Sequence, residues 1–128
     1  MENRIVKTLC ITMWLEDGIM HEIFADNSDI DLAMVKQISL TRKELCDGKD
    51  FPCLTDIRGV KAASKEARAF CAAEGMNNLL GVGIITGNAF TRALAELFLA
   101  INKPAVATRL FGNADDAKQW LCQLRRTA

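Results

Sequence analysis

Residues 79–87, Leu-Leu-Gly-Val-Gly-Ile-Ile-Thr-Gly, form a nine-residue run without a charge. A strand that meets water on one face alternates apolar and polar residues, so an unbroken apolar run bounded by glycines reads as a strand covered on both faces. The cover is either helices on each side, or helices on one side and a partner on the other. The run is far too short to span a bilayer as a helix. A covered strand in mid-chain needs neighbours in its sheet and helices across it, which points to the α/β class.

The flanking segments supply both. Residues 4–15 read as an extended strand with Ile5, Leu9, Ile11, Met13 and Leu15 on one face and Lys7 as the exception. Asp17-Gly18 then turns the chain into a hairpin, glycine accepting the positive φ of a tight turn, and residues 19–26 return as the second strand. Ser28, Asp29 and Asp31 are candidate caps for a helix over 31–46, with Val35, Ile38 and Leu45 near helical spacing and Gly48 as the stop. Lys36, Arg42, Lys43 and Glu44 are assigned to the solvated face of that helix. Residues 51–57 read as a third strand, with Pro52 at its start. A second helix runs from Ser64 to about Met76. A third, over 88–102, is so apolar that it is expected to be buried more completely than a surface helix. Pro104 opens a fifth strand over 105–111, and Asn113 caps a last helix whose stripe is Ala117, Trp120, Leu121 and Leu124, with Arg125 and Arg126 at its C-terminal dipole.

The order is β-β-α-β-α-β-α-β-α. An antiparallel hairpin followed by alternating units, whose crossovers demand parallel neighbours, predicts a mixed five-stranded sheet packed by four helices. At 128 residues the chain suits one core, so residues 1–128 are read as a single domain.

Composition removes several functions. Sixteen Lys and Arg balance sixteen Asp and Glu, so the electrostatic footprint of a nucleic-acid or anionic-membrane binder is missing. Glu2 and the polar residues after it speak against a secretory leader, and no apolar run reaches spanning length, which predicts a cytoplasmic protein without membrane insertion. The five cysteines are scattered among apolar neighbours, as small hydrophobes would be, and disulfides are not expected. There is no CxxC, and His21 is the single histidine, so neither a metal site nor a cofactor is expected.

Candidate sites follow from topology. Ligands of open α/β sheets gather at the carboxyl ends of parallel strands, which here offer Asp56 and Arg58, then Thr86, Asn88, Phe90, Thr91 and Arg92. Arg92 falls in the first turn of an apolar helix, where a cation is unfavourable unless an acid or an anionic ligand compensates it. A structural pair with Asp56 or another acid, and ligand binding, are both open. Gly81 and Gly83 lie within the strand instead of in the turn after it, and no Gly-Lys-Ser/Thr follows, so they are read as allowing close helix-to-sheet approach and not as a phosphate loop. His21 sits in the hairpin, away from the strand ends, leaving serine and cysteine nucleophiles without a base; the chain is not expected to be an enzyme.

Three pieces of the C-terminal half carry a resemblance. They are Arg92, Leu94 and Phe98 in the third helix, the Asn102-Lys103-Pro104 entry to the last strand, and residues 110–121, a strand end leading into a capped helix with Trp120-Leu121. Together with the element order they resemble the SpoIIAA-like branch of the STAS-like proteins, small bacterial single-domain proteins with the fold of anti-sigma-factor antagonists. That resemblance implies a non-enzymatic regulatory or ligand-carrying domain. A regulatory or partner-docking domain is expected, the apolar third helix offering a face to a protein partner or to a second copy in a homodimer; the alternative is a carrier or sensor of a small apolar or acidic ligand near Arg92 and Phe90. The resemblance further implies a phosphoacceptor serine at the start of the helix after a strand-end acid. Asp56 matches the acid. The chain has no Asp-Ser-Ser-Gly element, and Ser64, about one residue off that position, is both the candidate phosphoacceptor and the residue type preferred at an N-cap.

Overall fold

The computed structural model describes residues 4–127; Met1–Asn3, including the Glu2 used above, and the side chains of Arg126 and Thr127 lie outside it. Strands β1 (Ile5–Lys7), β2 (Ile11–Glu16), β3 (Ile19–Phe24), β5 (Phe51–Asp56), β7 (Leu79–Ile85) and β8 (Thr108–Phe111) form a six-stranded sheet in the order β1-β2-β3-β5-β7-β8. The β1-β2-β3 part is antiparallel, and β3, β5, β7 and β8 run parallel. β4 (Ser28–Ile30) and β6 (Val60–Ala63) pair with each other as a separate two-stranded parallel sheet. Helices α1 (Leu32–Leu45), α2 (Lys65–Ala72) and α3 (Ala89–Leu97) contribute to the core on one face of the large sheet, and α4 (Ala114–Thr127) to a smaller core on the other.

The mixed sheet, the N-terminal hairpin and the four helices are as expected, but the large sheet has six strands, not five. The extra strand comes from the first segment, which folds back on itself: the Thr8 amide donates to the Ile11 carbonyl, Thr8 Oγ1 accepts from the Ile11 amide at 3.1 Å, and β1 pairs with β2. Leu9, expected to share a face with Ile11 and Met13, is fully exposed at that turn, whereas those two are buried. Ser28 and Asp29, read as caps, belong to β4, and Asp31 caps α1, accepting from the Met34 amide at 2.9 Å.

Local chemistry explains the other boundaries. Asp17 and Gly18 both adopt positive φ, 54° and 74°, the conformation that lets a two-residue turn follow the twist of β2 and β3. Arg125 donates to the Asp17 carbonyl, which ties the end of α4 to this hairpin in addition to any dipole effect. The second helix is shorter than expected: α2 stops at Ala72 and the chain continues through a 3₁₀ turn, Glu74–Met76. α3 likewise passes into a π turn, Phe98–Asn102, and Lys103 takes a left-handed conformation before Pro104. Gly81 and Gly83 have the expected role, because a Cβ at Gly81 would run into Leu124 of α4, and one at Gly83 would lie 3.4 Å from Ala117 Cβ.

α3 departs from expectation. Only Thr91 and Ala95 are buried, with Leu94 and Phe98 packed against the core, while Phe90, Leu97 and Ile101 are 53%, 40% and 67% exposed. The helix has one face on the core; the rest of its apolar surface meets water.

Candidate functional site

Successive residues of a strand point to opposite faces, so Met20, Glu22 and Phe24 of β3 project to the α1–α3 side together. Glu22 is thereby forced into an apolar layer, where a carboxylate needs a partner. On α1, Val35, Ile38 and Arg42 follow helical spacing and are its three buried residues. The two side chains meet: Arg42 Nε donates to Glu22 Oε2 at 2.6 Å and Nη2 to Oε1 at 3.0 Å, while Nη1 donates to the Gly75 carbonyl at 2.6 Å. Arg42 is 8% exposed and Glu22 2%. Its assignment to the solvated face of the helix is therefore corrected. Burial acts to lower the Arg42 pKa, but the charge and hydrogen bonds of Glu22 more than reverse this, and the guanidinium stays ionised.

This pair lines a cavity of about 140 Å³ between the sheet and the helices. Its walls are mostly apolar, with Phe24, Val82 and Ile84 from the sheet, Val35 and Ile38 from α1, Ala67, Phe70 and Cys71 from α2, and Leu94, Ala95 and Phe98 from the α3 region. The small sheet closes over it through Ile30, Val60 and Ala63. Burial raises the Cys71 thiol to about 11, so this wall residue is neutral at physiological pH. The cavity contains one further polar residue of consequence. Arg68 lines it half-buried, and its Nε is shut off from solvent with no hydrogen-bond partner among the described residues.

The strand-end residues named from the sequence gather in part at a second place. Asp56 ends β5, is 5% exposed, and accepts from the Arg58 side chain and amide, the shortest contact being Nη2 to Oδ2 at 2.7 Å. These hydrogen bonds, then the carboxylate's charge, raise the Arg58 pKa. The Arg58 stem lies over Gly87, where a Cβ would fall 2.7 Å from its Cγ, so glycine is needed for this approach. Arg58, Asn88 and Phe90, with Asp26, Asn27 and Lys61, line an open crevice of about 560 Å³. Asn88 is also the N-cap of α3, its Oδ1 accepting from the Thr91 amide at 2.8 Å, while Thr91 Oγ1 accepts from the Asn88 amide.

Arg92 stands apart from both places. Its compensating acid is Glu96, one turn on, at 2.9 Å between exposed side chains, and Asp56 is committed to Arg58. Ser64 caps α2, accepting from the Ala67 amide at 3.1 Å, and its own amide donates to Ile30 of β4. His21 stacks on Trp14 with ring centroids 4.7 Å apart. All five cysteines are free; Cys122, expected among apolar neighbours, is exposed on α4.

Glu22, Arg42 and Arg68 are the polar groups that the sequence reading left out of any site. The signal for the first two was present: an acid at i±2 from Met20 and Phe24, and a cation continuing the Val35–Ile38 stripe, each on an apolar face.

Residues 13–125 match the family described as a domain of unknown function, DUF7793. The chain belongs to that family. The span shared with it takes in every residue of the cavity and the crevice and leaves out β1. No curated protein matches the chain. Among solved structures it is similar to an uncharacterized protein of the DUF3478 family, with a SpoIIAA-like fold, from Shewanella loihica PV-4; the two are 13% identical over 94% of this chain and 93% of that one, with a TM-score of 0.61. This DUF7793 member therefore has a SpoIIAA-like fold, as the helix and strand motifs of the C-terminal half implied. Among the described residues no helix is long and apolar enough to cross a membrane.

Proposed function

We propose that this protein works by recognition without bond-making, and that it holds a small, largely apolar ligand in the cavity between the sheet and helices α1, α2 and α3. The observation that carries this is the cavity's size and lining. Its volume of about 140 Å³ is close to the roughly 150 Å³ of an engineered apolar void that accepts benzene. The apolar walls give an apolar occupant surface to bury, so its entry is favoured by the hydrophobic effect before any specific contact is made. The proposed ligand position lies beside the one expected near Arg92 and Phe90: Leu94, one turn on from Phe90, and Phe98 in the π turn line the cavity, whereas Phe90 and Arg92 do not. Support for a role without catalysis comes from His21, which is occupied by Trp14 and has no hydrogen bond to a serine or cysteine among the described residues. The same holds for Cys53, whose thiol is buried and strongly disfavours ionisation.

Thermal denaturation with benzene, toluene and hexanol tests the reading. Each should raise the melting temperature in a saturable way; no shift with any of them, together with a clean apo mass by native mass spectrometry of fresh material, rejects it.

A second reading, a regulatory domain that docks a protein partner or a second copy, is favoured by the crevice. There Phe90 stands exposed beside Arg58 and Lys61, and Leu97 and Ile101 continue its stripe along the helix. Light scattering at high concentration, on wild type and on Phe90→Asp, separates self-association from docking of a different protein.

A further inference from the structure

Arg68 gives the cavity a charge that the chain does not balance. Four side chains that line it can carry charge: Glu22, Arg42, Arg68 and Cys71. Glu22 and Arg42 neutralise each other, and every guanidinium nitrogen of Arg42 is engaged, two by Glu22 and one by the Gly75 carbonyl. Cys71 is a neutral thiol. Arg68 makes no ion pair among the described residues, and its Nε is desolvated without an acceptor. Burying a guanidinium N–H without an acceptor is costly, and an arginine in that condition beside an apolar space is complementary to an anion whose body is apolar.

We propose that the ligand is a monocarboxylate: its apolar body, about six carbons or a single ring, fills the cavity, and its carboxylate is held by Arg68, which lines the cavity half-buried. This rests on the apolar-ligand reading above. The size follows from the comparison of the cavity with one that accepts benzene. The headgroup follows from the donor set. One planar guanidinium presents a fork that matches a carboxylate, whereas a phosphate dianion would leave a charge unmatched here, since the other arginine is fully used.

Matched pairs of ligands test this with no variant needed. Hexanoate and hexanol, and benzoate and benzyl alcohol, are titrated calorimetrically into the full chain at pH 7 and low salt, and again at high salt. The acids should bind about tenfold to a hundredfold more tightly than the alcohols, the range of a charge-assisted hydrogen bond, and their advantage should shrink with salt. Arg68→Gln should remove that advantage and leave the alcohols unchanged; Arg68→Lys should keep part of it, since the charge remains and the fork is lost. Acids and alcohols binding equally to the wild type overturns the carboxylate assignment and leaves the apolar-ligand reading standing. Binding of neither class overturns both.

Discussion

Glu22 and Arg42, twenty residues apart, meet in a two-pronged ion pair at 2.6 and 3.0 Å inside the apolar layer between the sheet and α1. The pair fixes the register of α1 over β3, and through the Gly75 carbonyl it also anchors the 3₁₀ turn after α2. A buried pair of this kind adds little net stability over apolar residues of the same shape, but a lone member is expensive.

Arg42→Met leaves the Glu22 carboxylate buried without its cation, and urea denaturation should show a loss of about 3–5 kcal/mol. The double change Glu22→Leu with Arg42→Met should recover most of that loss. If the single and double variants are equally destabilised, the two residues are not coupled as the geometry requires.

Ala67 is 1% exposed and lines the cavity. Ala67→Leu adds three carbons into the space, and should raise stability by about 1 kcal/mol while abolishing the melting shift caused by benzene. Loss of stability with the benzene shift retained would show that the added side chain points elsewhere.

His21 is 5% exposed, and burial, with Lys118 in second place, lowers its pKa below the ordinary 6.5 against the opposing pull of Glu16 and Asp17. The folded state thus binds the proton more weakly than the unfolded chain does. Stability is expected to be level above pH 6.5 as far as this group is concerned, and to fall as pH drops from there towards the folded pKa. His21→Phe, which keeps a ring against Trp14, should flatten that part of the profile. In a Trp120→Phe background, Trp14 fluorescence reports the same titration, since the indole stacks directly on the imidazole. A midpoint at or above 6.5 contradicts the burial argument.

Ser64→Ala removes an N-cap acceptor and should cost about 1 kcal/mol, and Ser64→Asp, which retains an acceptor, less. The phosphoacceptor role is read separately, by the intact mass of protein taken from its native cells: a phosphate on Ser64 supports it, and consistent absence leaves the cap as the residue's function.

Much of the fold was legible because it is written locally. The uncharged run at 79–87, the Asp17-Gly18 turn, and the caps at Ser64 and Asn113 each depend on residues within a few positions of one another, and the structure places all of them as expected. The break at Thr8–Cys10 was hidden. Alternation through Ile5, Leu9 and Ile11 is the same whether the strand continues or doubles back, and only pairing of β1 with β2 distinguishes the two. The candidate site divided in the same way. Arg58, Asn88 and Phe90 come together because strand ends and the helix starts beside them are adjacent by topology, whereas Arg92 turned outward to an acid one helical turn away.

By itself the order of residues determined the class of the fold, the Asp17-Gly18 turn, the caps at Ser64 and Asn113, and the apolar stripe of α4, since these follow from short-range sterics and from a periodicity of two or 3.6 residues. Tertiary structure alone decided that Glu22 faces Arg42, that a space remains between the sheet and three helices, and that Arg68 borders it without a counter-charge. The physical reason is that volume and charge balance are sums over side chains brought from distant parts of the chain, and no window along the sequence contains all of their terms.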